Sequence, residues 1–237
     1  MIAVLSDIHG NLQALQAVLR AASSLGCDRV ISLGDVVGYY AQPGECIDLL
    51  KEHDAINFMG NHDSYLVGDT NCPRSKMISE ITNYQRGIVN SEQLQWLSRS
   101  ISTLIENGNY FAHGGWQDPL DQYLYKVSAT HIPHGAINLF TGHTHVQVLV
   151  EFGQQKYCNP GSVGQPRDGD PMAAFAVLSG NDIHLHRVDY DIDQTAFAMK
   201  AAGFPPRYYE NLYIGAQIGG RIDKVTVVSD GGESIWL

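Results

Sequence analysis

Apolar residues along this chain fall into short runs that alternate with amphipathic stretches. "IAVLS" at 2–6 is a compact apolar run closed by a glycine-containing turn, the pattern of a buried strand. Asn11 then stands where a helix cap is expected. Leu12, Leu15, Leu19 and Ala22 follow on one helical face, and Gly26 is the stop signal. "RVISL" at 29–33 predicts a second strand, Pro43 to about His53 a helix with Ile47 and Leu50 turned inward, and "AINFM" at 55–59 a third strand. Strand, helix, strand, helix, strand is the order of parallel strands joined by crossover helices.

The rhythm breaks at 64–108, which reads as a mostly helical insert with "SEQLQWLSRS" at 91–100 as its clearest piece. Strand patterns resume at "YFAH" (110–113) and "INLFTGH" (137–143). "VQVLVEF", "QKYC", "AAFAVLS" and "DIHLHRVDY" then follow one another with glycine-bearing turns between, which predicts hairpins and an antiparallel half. A helix near 192–203 and an extension over 200–237 complete the chain. The expectation is a single mixed α/β domain over 1–237, in which two sheets pack together with helices outside.

Against this pattern the polar residues are conspicuous by position. The first strand runs into Asp7 and His9, the second into Gly34-Asp35, the third into Gly60-Asn61-His62-Asp63, and the later two into His113 and Gly142-His143-Thr144-His145. Each motif alone has a bland reading: Asp-x-His is a common turn, Asp35 a helix cap, Asn-His-Asp a surface turn, His113 a core histidine. All five bland readings would have to hold at once, each at a strand end, which is where ligands bind in open α/β sheets. Oxygen and nitrogen donors without cysteine favour divalent Mn, Fe, Co, Ni or Zn over a thiolate site, with Mn placed first. Their number exceeds what one ion with open positions needs and suits two ions sharing a carboxylate.

Composition narrows the partners. With 44% hydrophobic and 17% charged residues the chain is an ordinary globular protein. A formal net charge of -10 argues against a stable nucleic-acid complex but leaves room for a small phosphorylated substrate in a cation-bearing cleft. Cys27, Cys46, Cys72 and Cys158 form no CxxC pair and read as isolated reduced thiols. The N-terminal stretch shows neither a basic leader nor a long apolar segment, so a cytoplasmic protein without membrane association is expected. Oligomeric state stays open.

Taken together, Asp7-x-His9, Gly34-Asp35, Gly60-Asn61-His62-Asp63, His113 and Gly142-His143-Thr144-His145 resemble the calcineurin-like metallophosphoesterase superfamily. "NPGSVGQPRDGD" at 159–170 extends the likeness, to small bacterial and archaeal phosphodiesterases of that superfamily, as far as about residue 190. The resemblance implies a four-layer α-β-β-α sandwich and a dinuclear site. Asp7, His9 and His145 would hold one ion, Asn61, His113 and His143 the other, and Asp35 would bridge them. His62 would stay off the metals as the catalytic imidazole. A hydroxide bridging the ions would attack phosphorus, and His62 would protonate the leaving group.

Asp63 is a candidate to orient His62, and Arg167 a candidate to grip phosphate from a glycine-rich loop, with a surface arginine as its equally weighted alternative. Ser162 is a weaker candidate of the same kind. Tyr39, Tyr40 and Trp116 stand near ligand positions as base-stacking or packing residues, while His53, His131, His134, His184 and His186 match no ligand position. "VVGYY" after Gly34-Asp35 replaces the longer acidic and arginine motif of the phosphoprotein phosphatases. The expected activity is therefore hydrolysis of small phosphodiesters or nucleotides, diadenosine polyphosphates among them. The alternatives are a phosphomonoesterase, a protein phosphatase, or a non-catalytic scaffold of the same fold.

Overall fold

The computed structural model describes residues 1–228 and 234–236. In chain order the elements are β1 (Ile2–Leu5), α1 (Leu12–Ser24), β2 (Arg29–Ser32), α2 (Pro43–Glu52), β3 (Ile56–Asn57), α3 (Asn61–Val67), α4 (Lys76–Ile88), α5 (Ser91–Ser98), β4 (Thr103–Glu106), β5 (Asn109–Ala112), β6 (Lys126–Val127), β7 (Asn138–Phe140), β8 (Val148–Phe152), β9 (Gln155–Asn159), β10 (Ala173–Ser179), β11 (Asp182–Val188), α6 (Ile192–Ala201), β12 (Thr226–Val228) and β13 (Ser234–Trp236). Of the expected C-terminal extension, residues 229–233 and 237 lie outside the described residues.

Two mixed sheets of five strands form the body, in the orders β11-β10-β1-β2-β3 and β4-β5-β7-β9-β8. In the first, β1, β2 and β3 are parallel and the β10–β11 hairpin runs antiparallel beside β1. In the second, β5, β7 and β9 are parallel, with β4 and β8 antiparallel at the edges. The later half is thus not purely antiparallel, as its run of successive strands had predicted. The short β8 and β9 pair with each other and join the second sheet, whereas β10 and β11 return to the first. The expected helical insert also contains a strand, β4, an edge partner of β5.

Burial explains the layering. Val4, Ile31, Leu33 and Phe58 from one sheet meet Phe111, Phe140 and Cys158 from the other, and Phe111 stacks on Phe140 with centroids 4.9 Å apart. On the first sheet's outer face Ala3, Leu5 and Phe175 pack against Leu15, Val18, Leu19, Ile47 and Leu50 of α1 and α2. The apolar stripe read from the sequence is this face. Asn11 caps α1 by accepting the Ala14 N–H, as its position predicts. The second sheet's outer face is covered differently. Leu139, Val148, Val150 and Tyr157 are sealed by Leu124, Val127, Ile132 and Val225, from a one-turn helix at Ala129–His131 and the small β13-β12-β6 sheet. That fourth layer is thinner than a row of long helices.

The parallel strands of both sheets end at one edge, and backbone hydrogen bonds lock their turns together there. Asp7 N–H donates to Gly34 O (3.0 Å), His9 N–H to Asp35 O (2.9 Å), Gly10 N–H to Val36 O (2.8 Å) and Gly142 N–H to His113 O (2.8 Å). The loop 161–165 lies against the first turn, with Gly164 N–H donating to Asp7 O at 3.0 Å and Asn11 donating to Gly164 O at 2.9 Å. A Cβ on Gly164 would stand 1.8 Å from Ile8 O, so the close approach requires glycine. Replacing Gly164 by Ala should therefore destabilise the fold by about 1–3 kcal/mol, lowering Tm by about 2–12 °C for a chain of this size. An unchanged melting curve would show that the turn yields freely.

Candidate metal centre

The turns after β1, β2 and β7 adopt unusual backbone. Asp7, His9, Asp35, His143 and His145 all have left-handed φ, between +54° and +67°. This conformation is costly for residues with a Cβ and clusters where function requires it. Here it tips each side chain off its strand end into the space between the sheets. Glycines make room: a Cβ on Gly60 would lie 2.1 Å from Asp35 Oδ1.

Each acid then divides its two oxygens. Asp35 Oδ1 accepts the His62 N–H at 2.8 Å, which leaves Oδ2 3.8 Å from His9 Nε2 and 3.5 Å from His113 Nε2. Asp7 Oδ2 accepts the His143 N–H at 3.0 Å. Its Oδ1 lies 3.2 Å from His145 Nε2, buried and without a hydrogen bond.

The imidazoles are oriented by the backbone. Nδ1 of His9, His113 and His145 faces the carbonyls of Val37 (2.8 Å), Leu33 (3.0 Å) and Gln165 (2.7 Å). A carbonyl only accepts, so each Nδ1 carries the proton and each Nε2 presents a bare lone pair inward. Burial, the foremost cause in each, pushes the pKa values of His9, His113, His143 and His145 down and keeps the rings neutral.

Donor atoms converge as a result. His9 Nε2 is 3.1 Å from His145 Nε2, and His113 Nε2 is 3.1 Å from His143 Nδ1 and 3.4 Å from Asn61 Oδ1. The His9 and His145 lone pairs at this spacing repel unless a cation sits between them, and ligands of one ion at about 2.1 Å show such spacing. Three groups bring one donor atom each within 4.8 Å of one another: Asp7–His9–His145, His9–Asp35–His62 and Asp35–His113–His143. Burial, with Asp63 and Asp7 close by, also pushes the Asp35 carboxyl well above its usual range. A buried cluster of acids and neutral imidazoles fits divalent cations.

The remaining predicted residues sort themselves by contact. His62 is 8% exposed, its Nδ1 has no partner, and its ring stands edge-on to His9 at 4.9 Å. Burial, His145 and Arg167 push its pKa down to about 3. One of its ring nitrogens lies within 4.8 Å of donor atoms of His9 and Asp35. Asp63 does not orient this ring. Its carboxylate accepts the N–H groups of Asp35 (2.8 Å), Val37 (3.1 Å) and Gly60 (3.2 Å), because the start of α3 aims it back at the β2 turn. Burial raises its pKa to about 7 against the pull of those backbone bonds.

Arg167 is no surface residue. It is 5% exposed, and its hydrogen bonds go to neutral oxygens: Gln165 Oε1 at 3.0 and 2.6 Å and Tyr39 OH at 3.0 Å. Its guanidinium also lies over the Tyr39 ring, 5.5 Å from the centroid.

Ser162 is a brace between Asp7 O and Gln165 N–H, both at 2.7 Å. Tyr40 is fully buried with its OH accepting from Gln165 at 3.0 Å, and Trp116 packs edge-on to Tyr110. The sequence reading missed two residues at the site: Tyr123, stacked on His143 with centroids 3.7 Å apart, and Asp121 beside it. Both lie in a loop whose turn residues carry no periodic signal.

Fold and centre together define a metal-dependent hydrolase of phosphoester bonds. A sequence model of the calcineurin-like phosphoesterase superfamily domain matches residues 1–182, and the chain belongs to that superfamily. It is 31% identical over 239 residues to an uncharacterised protein of Methanocaldococcus jannaschii, covering 91% of this chain and 98% of that one. It is 27% identical over 190 residues to the phosphodiesterase YfcE of Escherichia coli, covering 75% and 86%. A crystal structure of a metallophosphoesterase from Sphaerobacter thermophilus superposes with a TM-score of 0.80 at 30% identity, over 90% of this chain and 98% of that one.

The role of Asp63 is directly testable. Asp63→Asn retains one acceptor oxygen for three N–H groups and should cost about 1–3 kcal/mol of stability. Metal content after dialysis against a weak chelator should fall with it, since the Asp35 turn loosens. Wild-type stability with wild-type metal content would remove Asp63 from the support of the site.

Proposed function

We propose that the protein hydrolyses small phosphodiesters or nucleotides at a centre of two divalent cations, with Mn as the first candidate. The observation that carries this is Asp35 Oδ2, which faces both nitrogen clusters at once, 3.8 Å from His9 Nε2 and 3.5 Å from His113 Nε2. In this reading Asp7, His9 and His145 would hold one ion and Asn61, His113 and His143 the other, with Asp35 available to both. The ions supply Lewis acidity toward the phosphoryl oxygens and lower the pKa of the attacking water.

The chain's own residues do the rest. Arg167, with only neutral hydrogen-bond partners, takes a non-bridging phosphoryl oxygen, and the Tyr39 hydroxyl and ring hold the guanidinium in place. His62 places a proton on the leaving oxygen as the P–O bond breaks. The anionic phosphoryl group arriving beside it offsets the depression of its pKa. Overall one water adds across one P–O bond.

A diester is favoured over a phosphoprotein. After Asp35 the chain continues with buried Val36 and Val37 and with Gly38, where a Cβ would meet His62 Nδ1 at 2.4 Å. No acid can stand there to pair with His62. The phosphodiesterase name of the YfcE relative supports the same choice. The proposed partner is a small phosphorylated molecule rather than a polymer, and the proposed compartment the cytoplasm. Among the described residues no helix is long and apolar enough to cross a membrane.

A panel of phosphodiesters, phosphomonoesters and dinucleoside polyphosphates, assayed with Mn and other divalent ions, tests the reading. Diesters should turn over fastest, a chelator should abolish turnover, and added Mn should restore it. A fully metal-loaded protein inert toward the whole panel would refute the proposal. His62→Gln should keep wild-type metal content while kcat falls about 10²–10⁴-fold. Wild-type turnover in that variant would clear His62 of proton transfer.

A further inference from the structure

The geometry points to Asp121 as a positioning residue that sets the tautomer of His143 and ties the helical insert to the second ion site. This rests on the reading of His143 as a metal ligand. His9, His113 and His145 offer Nε2 inward and keep Nδ1 on a backbone carbonyl. His143 is reversed: Nδ1 faces His113 Nε2 at 3.1 Å, and Nε2 points the other way. That Nε2 is buried and has no hydrogen bond, and a buried polar atom in this state calls for a partner close by. Asp121 Oδ1 lies 3.6 Å from it, one small side-chain rotation beyond a hydrogen bond.

Asp121 does for His143 what carbonyls do for the other three rings. A carboxylate beside Nε2 draws the proton to that nitrogen and leaves Nδ1 bare and more basic toward a cation. The ring plane is fixed as well, because Tyr123 stacks on it with centroids 3.7 Å apart and an interplanar angle of 30°. Asp121 is itself held by Arg74, whose two terminal nitrogens meet its two oxygens, Nη1 donating to Oδ1 at 3.0 Å and Nη2 to Oδ2. Arg74 lies between α3 and α4, in the insert, so this bidentate pair ties the insert to the His143 side of the site. The pair is half-exposed, with Arg74 at 52% and Asp121 at 31%, so it orients Asp121 without burying a charge.

Two readouts on the whole chain test this. Long-range ¹H–¹⁵N correlation spectra of metal-free protein should show His143 protonated on Nε2. Asp121→Ala should shift it toward Nδ1–H, and Asp121→Asn, which keeps an acceptor oxygen, should restore most of the wild-type state. In Mn titrations of metal-free protein, Asp121→Ala should bind one of two equivalents about 10–100-fold less tightly, with the other unchanged. Arg74→Gln should fall between Asp121→Ala and wild type. A wild-type His143 on the Nδ1–H tautomer, or a tautomer indifferent to Asp121→Ala, would overturn the inference. A protein inert toward every diester, whose His143 still follows Asp121, would sink the proposed function and support this one.

Discussion

Three backbone carbonyls take the Nδ1 protons of three buried imidazoles, and that turns the space between two sheets into a pocket of converging lone pairs. The rest of the site follows from this arrangement. The bare Nε2 atoms of His9 and His145, 3.1 Å apart, repel, so the pocket is electrostatically incomplete until a cation enters it. The fold has to hold the donors in that unfavourable posture beforehand. It does so with backbone bonds between the strand-end turns and with left-handed residues that a relaxed loop would avoid. Stability is spent at this edge, and it is supplied by the apolar contacts on both faces of each sheet.

Global and local charge run in opposite directions. A net charge of -10 repels an anionic substrate at long range. Within the centre, a buried guanidinium bound only to neutral oxygens opposes that sign, and the proposed cations would reverse it. The proposed preference for small substrates fits this: a long polyanion would be repelled along the acidic surface, whereas a small phosphoester would feel mainly the centre.

The donor set was legible in the sequence because each donor follows a strand run directly, and parallel strands carry their ends to one edge. Asp7, Asp35, Asn61, His113 and His143 each stand at or just past a strand's carboxyl end. What a run of residues cannot reveal is direction. Asp63 adjoins His62 in sequence, yet the first turn of α3 sends their side chains to different partners. Sheet membership was hidden for the same reason. The apolar runs of β8 to β11 mark strands, but only contacts distant in sequence divide them between two sheets. Asp121 and Tyr123 lay beyond reach because nothing in a turn-rich loop announces which strand end it will fold over.

The part of the chain beyond the family match has a place in the same scheme. The match ends at residue 182, while Arg167 sits on a loop whose far side rests on later residues. Asp223 N–H donates to Arg167 O at 2.7 Å, and Gly169 N–H donates to Gly215 O at 2.9 Å. Tyr125 OH reaches Asp223 Oδ2 at 3.1 Å, which links that support to the loop carrying Asp121 and Tyr123. Gly215 has φ +58°, and a Cβ there would meet the Asp170 backbone at 2.5 Å, so the two segments are in close backbone contact. The candidate donors sit on short turns anchored in the sheets, whereas the loop that carries Arg167 leans on the C-terminal extension. In the proposed function, a change in that extension would move the guanidinium against a fixed frame of donors, and with it the shape of ester that fits.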